Sequence, residues 1–166
     1  MKNNLIIRVD DRLIHGQVVV GWAIPLCIEE IILISDRIDE DAWLKKTLLS
    51  AASALADDID IEILTKKNFI NVLKTKSPDK KIMVVIESIE DAVYLVKSGF
   101  SISMLVLGGI HAKSGREMFL PYLYLDSTEM RAILDLAKEG IKIVAKDLPG
   151  SKEVDVISMI MQKRVT

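Results

Sequence analysis

Residues Leu5-Ile-Ile-Arg8-Val-Asp10-Asp11-Arg12-Leu-Ile-His15-Gly16-Gln17 join an apolar, strand-like run to the uncharged stretch 18–28. One of only two histidines in the chain therefore sits at a strand-to-helix junction among four charged side chains. Open α/β proteins bind ligands at such junctions, where loops leave the carboxyl ends of parallel strands. A histidine there can act as a nucleophile, arginines can hold an anion, and a helix start offers backbone N–H donors.

Outward from that loop, strand and helix signals alternate to the end of the chain. Apolar runs at 5–9, 31–34, 59–64, 82–86, 102–107 and 141–145 read as strands. Most are continuously apolar, the pattern of a parallel sheet covered on both faces. Helical patterns fall between them at 39–56, 67–73, 89–98, 127–139 and 152–163, the first marked by Trp43, Thr47, Leu48 and Ala51. Asp126 or Ser127 should cap the helix containing Glu129, and Gly99 and Gly140 should end helices in left-handed turns. Ser77-Pro78-Asp79 is turn chemistry. The segment 117–125, broken by Pro121, should be an edge hairpin with antiparallel pairing. The expectation is one α/β domain over 1–166, doubly wound, with a mostly parallel central sheet of six or seven strands and helices on both faces. The final helix should close one face with Val156, Ile157, Met159 and Ile160.

Bulk composition narrows the function. The chain has 166 residues, half of them apolar and 5% aromatic, enough for an aliphatic core. Twenty-two basic residues against twenty-four acidic ones argue against a bulk nucleic-acid binder. The single cysteine, Cys27, excludes an intrachain disulfide and reads as a small core residue. Asn3, Asn4, Arg8, Asp10 and Asp11 interrupt any signal-peptide pattern. The uncharged runs 18–28 and 100–112 are shorter than the roughly 18–20 residues of a membrane span. A soluble, cytoplasmic protein is expected, reaching a membrane only through a partner. Two histidines and one cysteine far apart in sequence give no metal site, and neither a dinucleotide fingerprint nor a Walker loop is present. No cofactor is expected.

Charge assigns the loop its jobs. A phosphoryl group on His15 would carry about two negative charges near pH 7. A unit charge at about 4 Å is worth roughly 4 kcal/mol at an effective dielectric near 20. Arg12 should therefore face the phosphoryl group, while Asp10 and Asp11 turn away to tie down Arg8, Arg12 or the loop backbone. Gly16 should keep the approach open, with Gln17 and its neighbours supplying amide donors. Arg8 is a further candidate phosphate ligand. His111, after Gly108-Gly109 at the end of a buried strand, falls on the same sheet edge, so Gly109 and His111 are candidates for a second wall.

The segment Arg8-Val-Asp10-Asp-Arg12-Leu-Ile-His15-Gly16-Gln17-Val18 closely resembles the signature of the IIB subunits of the mannose/fructose/sorbose family of the bacterial sugar phosphotransferase system. Trp22, the strand 31–34 followed by Ser35-Asp36, and Gly108-Gly109-Ile-His111 are similar to the family as well. The resemblance implies a phosphocarrier that accepts a phosphoryl group from a phosphohistidine of the IIA subunit. It passes the group to a sugar entering through the membrane IIC and IID subunits. His15 takes that role through Nδ1, with Arg12 steadying the phosphoryl group and Asp10 part of the loop. The docking face should surround His15 and be largely apolar. Arg37, where relatives commonly carry an acidic residue, leaves the sugar open, and a homodimer is neither required nor excluded. Two other readings compete: a phosphorylatable or sugar-phosphate-sensing regulatory module, and an α/β enzyme using His15 as a general base.

Overall fold

Each of the six apolar runs is a strand in the computed structural model, which describes residues 4–76 and 79–165. They form β1 (Leu5–Asp10), β2 (Glu30–Ile34), β3 (Asp60–Leu64), β4 (Ile82–Ile86), β5 (Met104–Gly109) and β8 (Lys142–Ala145). Between the last two lies a hairpin of β6 (Glu117–Leu120) and β7 (Leu123–Leu125). A two-residue β9 (Val154–Asp155) completes the set. The central sheet runs β3-β2-β4-β1-β5-β8-β9, parallel throughout except for β9. The 117–125 hairpin is antiparallel, as expected, but it pairs as its own two-stranded sheet. A single parallel bridge, Ile110 to Leu123, links it to the end of β5.

Among the described residues the α-helices that pack on the sheet are α1 (Gly16–Val18), α2 (Asp36–Glu40), α3 (Ala42–Ser53), α4 (Lys66–Leu73), α5 (Ile89–Lys97), α6 (Ser127–Lys138) and α7 (Val156–Val165). Alternation along each strand splits the core in two. Ile31, Leu33, Met83, Val85 and Val106 face Val18, Trp22, Ile38 and Ala52 of the first three helices and their connections. Ile32, Ile34, Val84, Ile86 and Leu107 face Phe69, Ala92, Leu95, Ile133, Leu136 and Ile160 of the last four. The chain leaves β1 toward β2 on one side and β5 toward β8 on the other. The β1/β5 boundary is therefore the point where strand order reverses, the place such sheets use for ligands.

Four local expectations change. The single helix expected over 39–56 begins earlier and breaks at Asp41, because Ser35 and Asp41 each cap a separate helix, accepting from Ile38 N and Leu44 N. Its inward face is Leu44, Leu48 and Ala52, which leaves Trp43 75% exposed. Cys27 is exposed rather than core, at φ 53° in the turn that ends the first helical segment. The last helix starts at Val156, not 152, because Val154 and Asp155 pair with β8. Val156 and Ile160 are fully buried, as their stripe implied. Asp126 and Glu129 form the expected capping box, and Gly99 and Gly140 are left-handed. Ser77 and Pro78 lie outside the described residues.

Candidate functional site

The β1 strand carries Arg8 and Asp10 at its end, and the turn that follows carries Asp11 and Arg12. Leu13 N donates to Asp10 O at 3.0 Å, Arg12 N donates to Asp10 Oδ1 at 3.2 Å, and Asp11 N donates to Gly109 O at 2.9 Å. The turn forces Leu13 to φ 64°. A branched side chain in that region costs about 1–3 kcal/mol, sustained here because Leu13 and Ile14 are buried. His15 follows in extended conformation as the N-cap of α1, its carbonyl accepting from Val18 N and Val19 N. Gly16 and Gln17 then carry first-turn N–H groups that the helix itself cannot satisfy. A Cβ on Gly16 would meet nothing within 4 Å, so the space above these amides is open.

The His15 ring is half-buried. Its Nδ1 lies 3.0 Å from Leu13 O. A carbonyl oxygen only accepts, so Nδ1 is the N–H nitrogen and the lone pair sits on Nε2. That Nε2 is covered and has no hydrogen-bond partner among the described residues. Beyond α1 the helix widens into a π-helical stretch, Val19–Ala23, a geometry often found at functional sites.

The arginines divide between inside and outside. Arg8 and Asp10 are both fully buried, with Arg8 Nη2 donating to Asp10 Oδ2 at 2.8 Å and Nε to the same oxygen at 3.3 Å. Arg8 Nη1 also donates to Lys146 O at 3.3 Å, and the guanidinium lies 4.9 Å from the Trp22 ring centre. Burial lowers the Arg8 pKa, opposed by the Asp10 carboxylate. The structure thus places Arg8 beneath the loop and not on its surface. Arg12 is half-exposed, its Nη2 donating to Gln17 Oε1 at 3.0 Å and its Nε 3.9 Å from Asp10 Oδ1.

Asp11 turns away toward the β5 loop. Its carboxylate accepts from the His111 backbone N–H at 2.9 Å and from His111 Nδ1 at 2.6 Å, with Arg116 Nη1 3.5 Å away. Arg116 in turn donates to His111 O and to both oxygens of Glu129 at the start of α6. Gly109 and His111 are therefore joined to the loop through Asp10 and Asp11. Burial pushes the Asp11 carboxyl up, but the His111 backbone and ring, with Lys113 behind them, outweigh it and hold the pKa low. A depressed carboxylate contributes stability above its unfolded pKa and loses it as pH falls through the folded one. Native protein should therefore melt above Asp11→Asn at neutral pH. The margin should close only below about pH 4, in melting curves taken across pH.

Sequence reasoning missed the β8 loop. Asp147 O accepts from Trp22 Nε1 at 2.6 Å and from Gln17 Nε2 at 3.4 Å, fastening α1 and the helical stretch after it to one carbonyl 125 and 130 positions along the chain. No sequence signal marks a backbone carbonyl for that task. Val20, Ile24 and Leu148 stand exposed beside this junction, with Leu148 against Gly21.

Residues 4–166 match the family described as PTS system sorbose subfamily IIB component. The chain is 26% identical over 160 residues to the N-acetylgalactosamine-specific phosphotransferase enzyme IIB component 2 of Escherichia coli (strain K12), covering 96% of this chain and 100% of that protein. It is 27% identical over 157 residues to the mannose-specific EIIAB component of the same organism, covering 92% of this chain and 48% of that one. In structure it is similar to an N-acetyl-galactosamine IIB component from Streptococcus pyogenes, with TM-score 0.85, 26% identity, and 95% and 98% of the two chains covered.

Proposed function

The chain belongs to the sorbose subfamily of phosphotransferase-system IIB components, and from that premise we propose that His15 accepts a phosphoryl group from a IIA phosphohistidine and passes it to a sugar taken up through membrane IIC and IID subunits. The observation that carries the reading is the placement of His15. It caps α1 at the strand-order reversal, three residues after the half-exposed Arg12 and just before Gly16, where a Cβ would meet nothing within 4 Å. Catalysis of phosphoryl transfer rests on positioning and charge. Arg12 supplies the charge, and the first-turn amides of Gly16 and Gln17 supply N–H donors.

Likeness to the family puts the phosphoryl group on Nδ1, which here donates to Leu13 O. The ring must therefore turn out of that contact, and its proton must pass from Nδ1 to Nε2, before Nδ1 can attack phosphorus. The relative fused as an EIIAB component supports a IIA domain as donor, and the exposed Val20, Ile24 and Leu148 suit a protein surface brought against the loop. Among the described residues no helix is long and apolar enough to cross a membrane. The relatives differ in the sugar they name, which leaves this chain's sugar to the membrane subunits.

The test is a chase. The chain is incubated with phosphorylated IIA, then with membranes bearing IIC and IID and a panel of sugars. Acid-labile, base-stable label on the protein that leaves to one sugar is the expected result. Label that stays on the protein with every sugar would instead favour a regulatory module. No label at all would favour the general-base enzyme.

A further inference from the structure

We propose that Arg8 is a positioning residue for phosphoryl transfer: by neutralising Asp10 from inside the fold, it leaves the charge of Arg12 free for the phosphoryl group. The proposal rests on the reading of His15 as a phosphoryl carrier, and it gives the two arginines opposite tasks.

The three charges form a chain from interior to surface. Asp10 gives its Oδ2 to Arg8 through two N–H donors. Its Oδ1 takes the Arg12 backbone N–H at 3.2 Å, while the Arg12 guanidinium makes only a long ion pair at 3.9 Å, beyond hydrogen-bond distance. The side chain of Arg12 is left half-exposed, resting on Gln17. With Arg8 in place the inner pair is neutral, and one positive charge remains at the surface. Without Arg8, the buried Asp10 carboxylate would have one cation within reach, and Arg12 would fold onto it.

Arg8 itself cannot serve the phosphoryl group. It is fully buried, covered by the Trp22 ring and held by Lys146 O. Gly108 has no side chain because the Arg8 guanidinium fills that position: a Cβ would lie 1.9 Å from Arg8 Cζ. Gly109 is fitted in the same way to Asp10, whose Oδ1 would lie 2.9 Å from a Cβ. Two consecutive glycines on β5 thus make the notch that holds the pair, and the pair sets the loop.

The experiment uses the full chain and phosphoramidate as a small phosphoryl donor. In that reaction the imidazole nitrogen bonds to phosphorus, the P–N bond breaks, and ammonia leaves with a proton. Native protein is compared with Arg8→Met, Arg8→Met/Asp10→Asn and Arg12→Met. Arg8→Met and Arg12→Met should each slow labelling about ten- to a hundredfold, the loss of a charged contact. The double variant, with Asp10 neutral and Arg12 released, should return to within a few-fold of native. A double variant as slow as Arg12→Met would overturn the proposal, and this comparison stands even if Arg8→Met alone fails to fold.

A second readout is independent of phosphorylation: hydrogen exchange of the Arg12 Nε–H by NMR. It should be slowed in Arg8→Met and fast in native protein and in the double variant. Equal exchange in all folded forms would overturn the proposal. Absence of label from every form, with exchange as expected, would count against the carrier reading and leave the arginine assignment supported.

Discussion

Replacing His15 with glutamine should abolish acid-labile phosphate incorporation while leaving the protein folded. The residue caps α1 through its backbone, with no side-chain capping bond, so the helix start survives the change. The side chain makes one hydrogen bond to Leu13 O, and a glutamine amide can donate in its place. A stability change of about 1 kcal/mol or less follows, a shift of ~2–4 °C in melting temperature for a chain of this size. Activity has no such margin, because an amide nitrogen has no lone pair available to attack phosphorus. The chain has only one other histidine, His111, and its Nδ1 is engaged by Asp11. Label persisting in His15→Gln would place the acceptor elsewhere, His111 first. The measurement is label per mole of protein beside a thermal melt of the same preparation.

The contrast between those two histidines shows where sequence reading succeeds and where it stops. Strand identity was legible because a parallel sheet buried on both faces demands unbroken apolar runs, and β2 and β4 are buried at every position. The geometry of the His15 loop was legible because it is local: turn, cap and charged side chains lie within eight residues. The outward turn of Asp11 was legible from charge alone, although its partner was not, since His111 is a hundred positions away. Arg8 went astray for a related reason. A positive side chain near a phosphoryl site reads as a ligand until Gly108, Trp22 and Lys146 are seen to enclose it. The exposure of Trp43 escapes the sequence because several polar and apolar residues fit either of two adjacent helical faces. Only packing against β2 and β3 chooses between them.

Gly108→Ala should be among the most destabilising single-methyl additions the chain can take. The added Cβ would lie 1.9 Å from Arg8 Cζ, 2.1 Å from Nη1 and 2.4 Å from Nε. Arg8 has no exit to solvent, so the guanidinium must leave Asp10 or the β1 and β5 backbones must separate. Displacing one member of a buried ion pair strands the other, which costs about 3–5 kcal/mol. A domain of this kind has a total of about 5–15 kcal/mol to lose. Gly16→Ala is the control, since its Cβ meets nothing within 4 Å. Urea denaturation should show the two alanines several kcal/mol apart, although both sit beside the same loop. The Arg8→Met/Asp10→Asn background supplies the deciding comparison. There the notch holds a flexible uncharged side chain and no carboxylate is left stranded, so Gly108→Ala should cost markedly less than it does alone. Strict additivity of the three substitutions would mean that the glycine answers to the strand backbone and not to the buried pair.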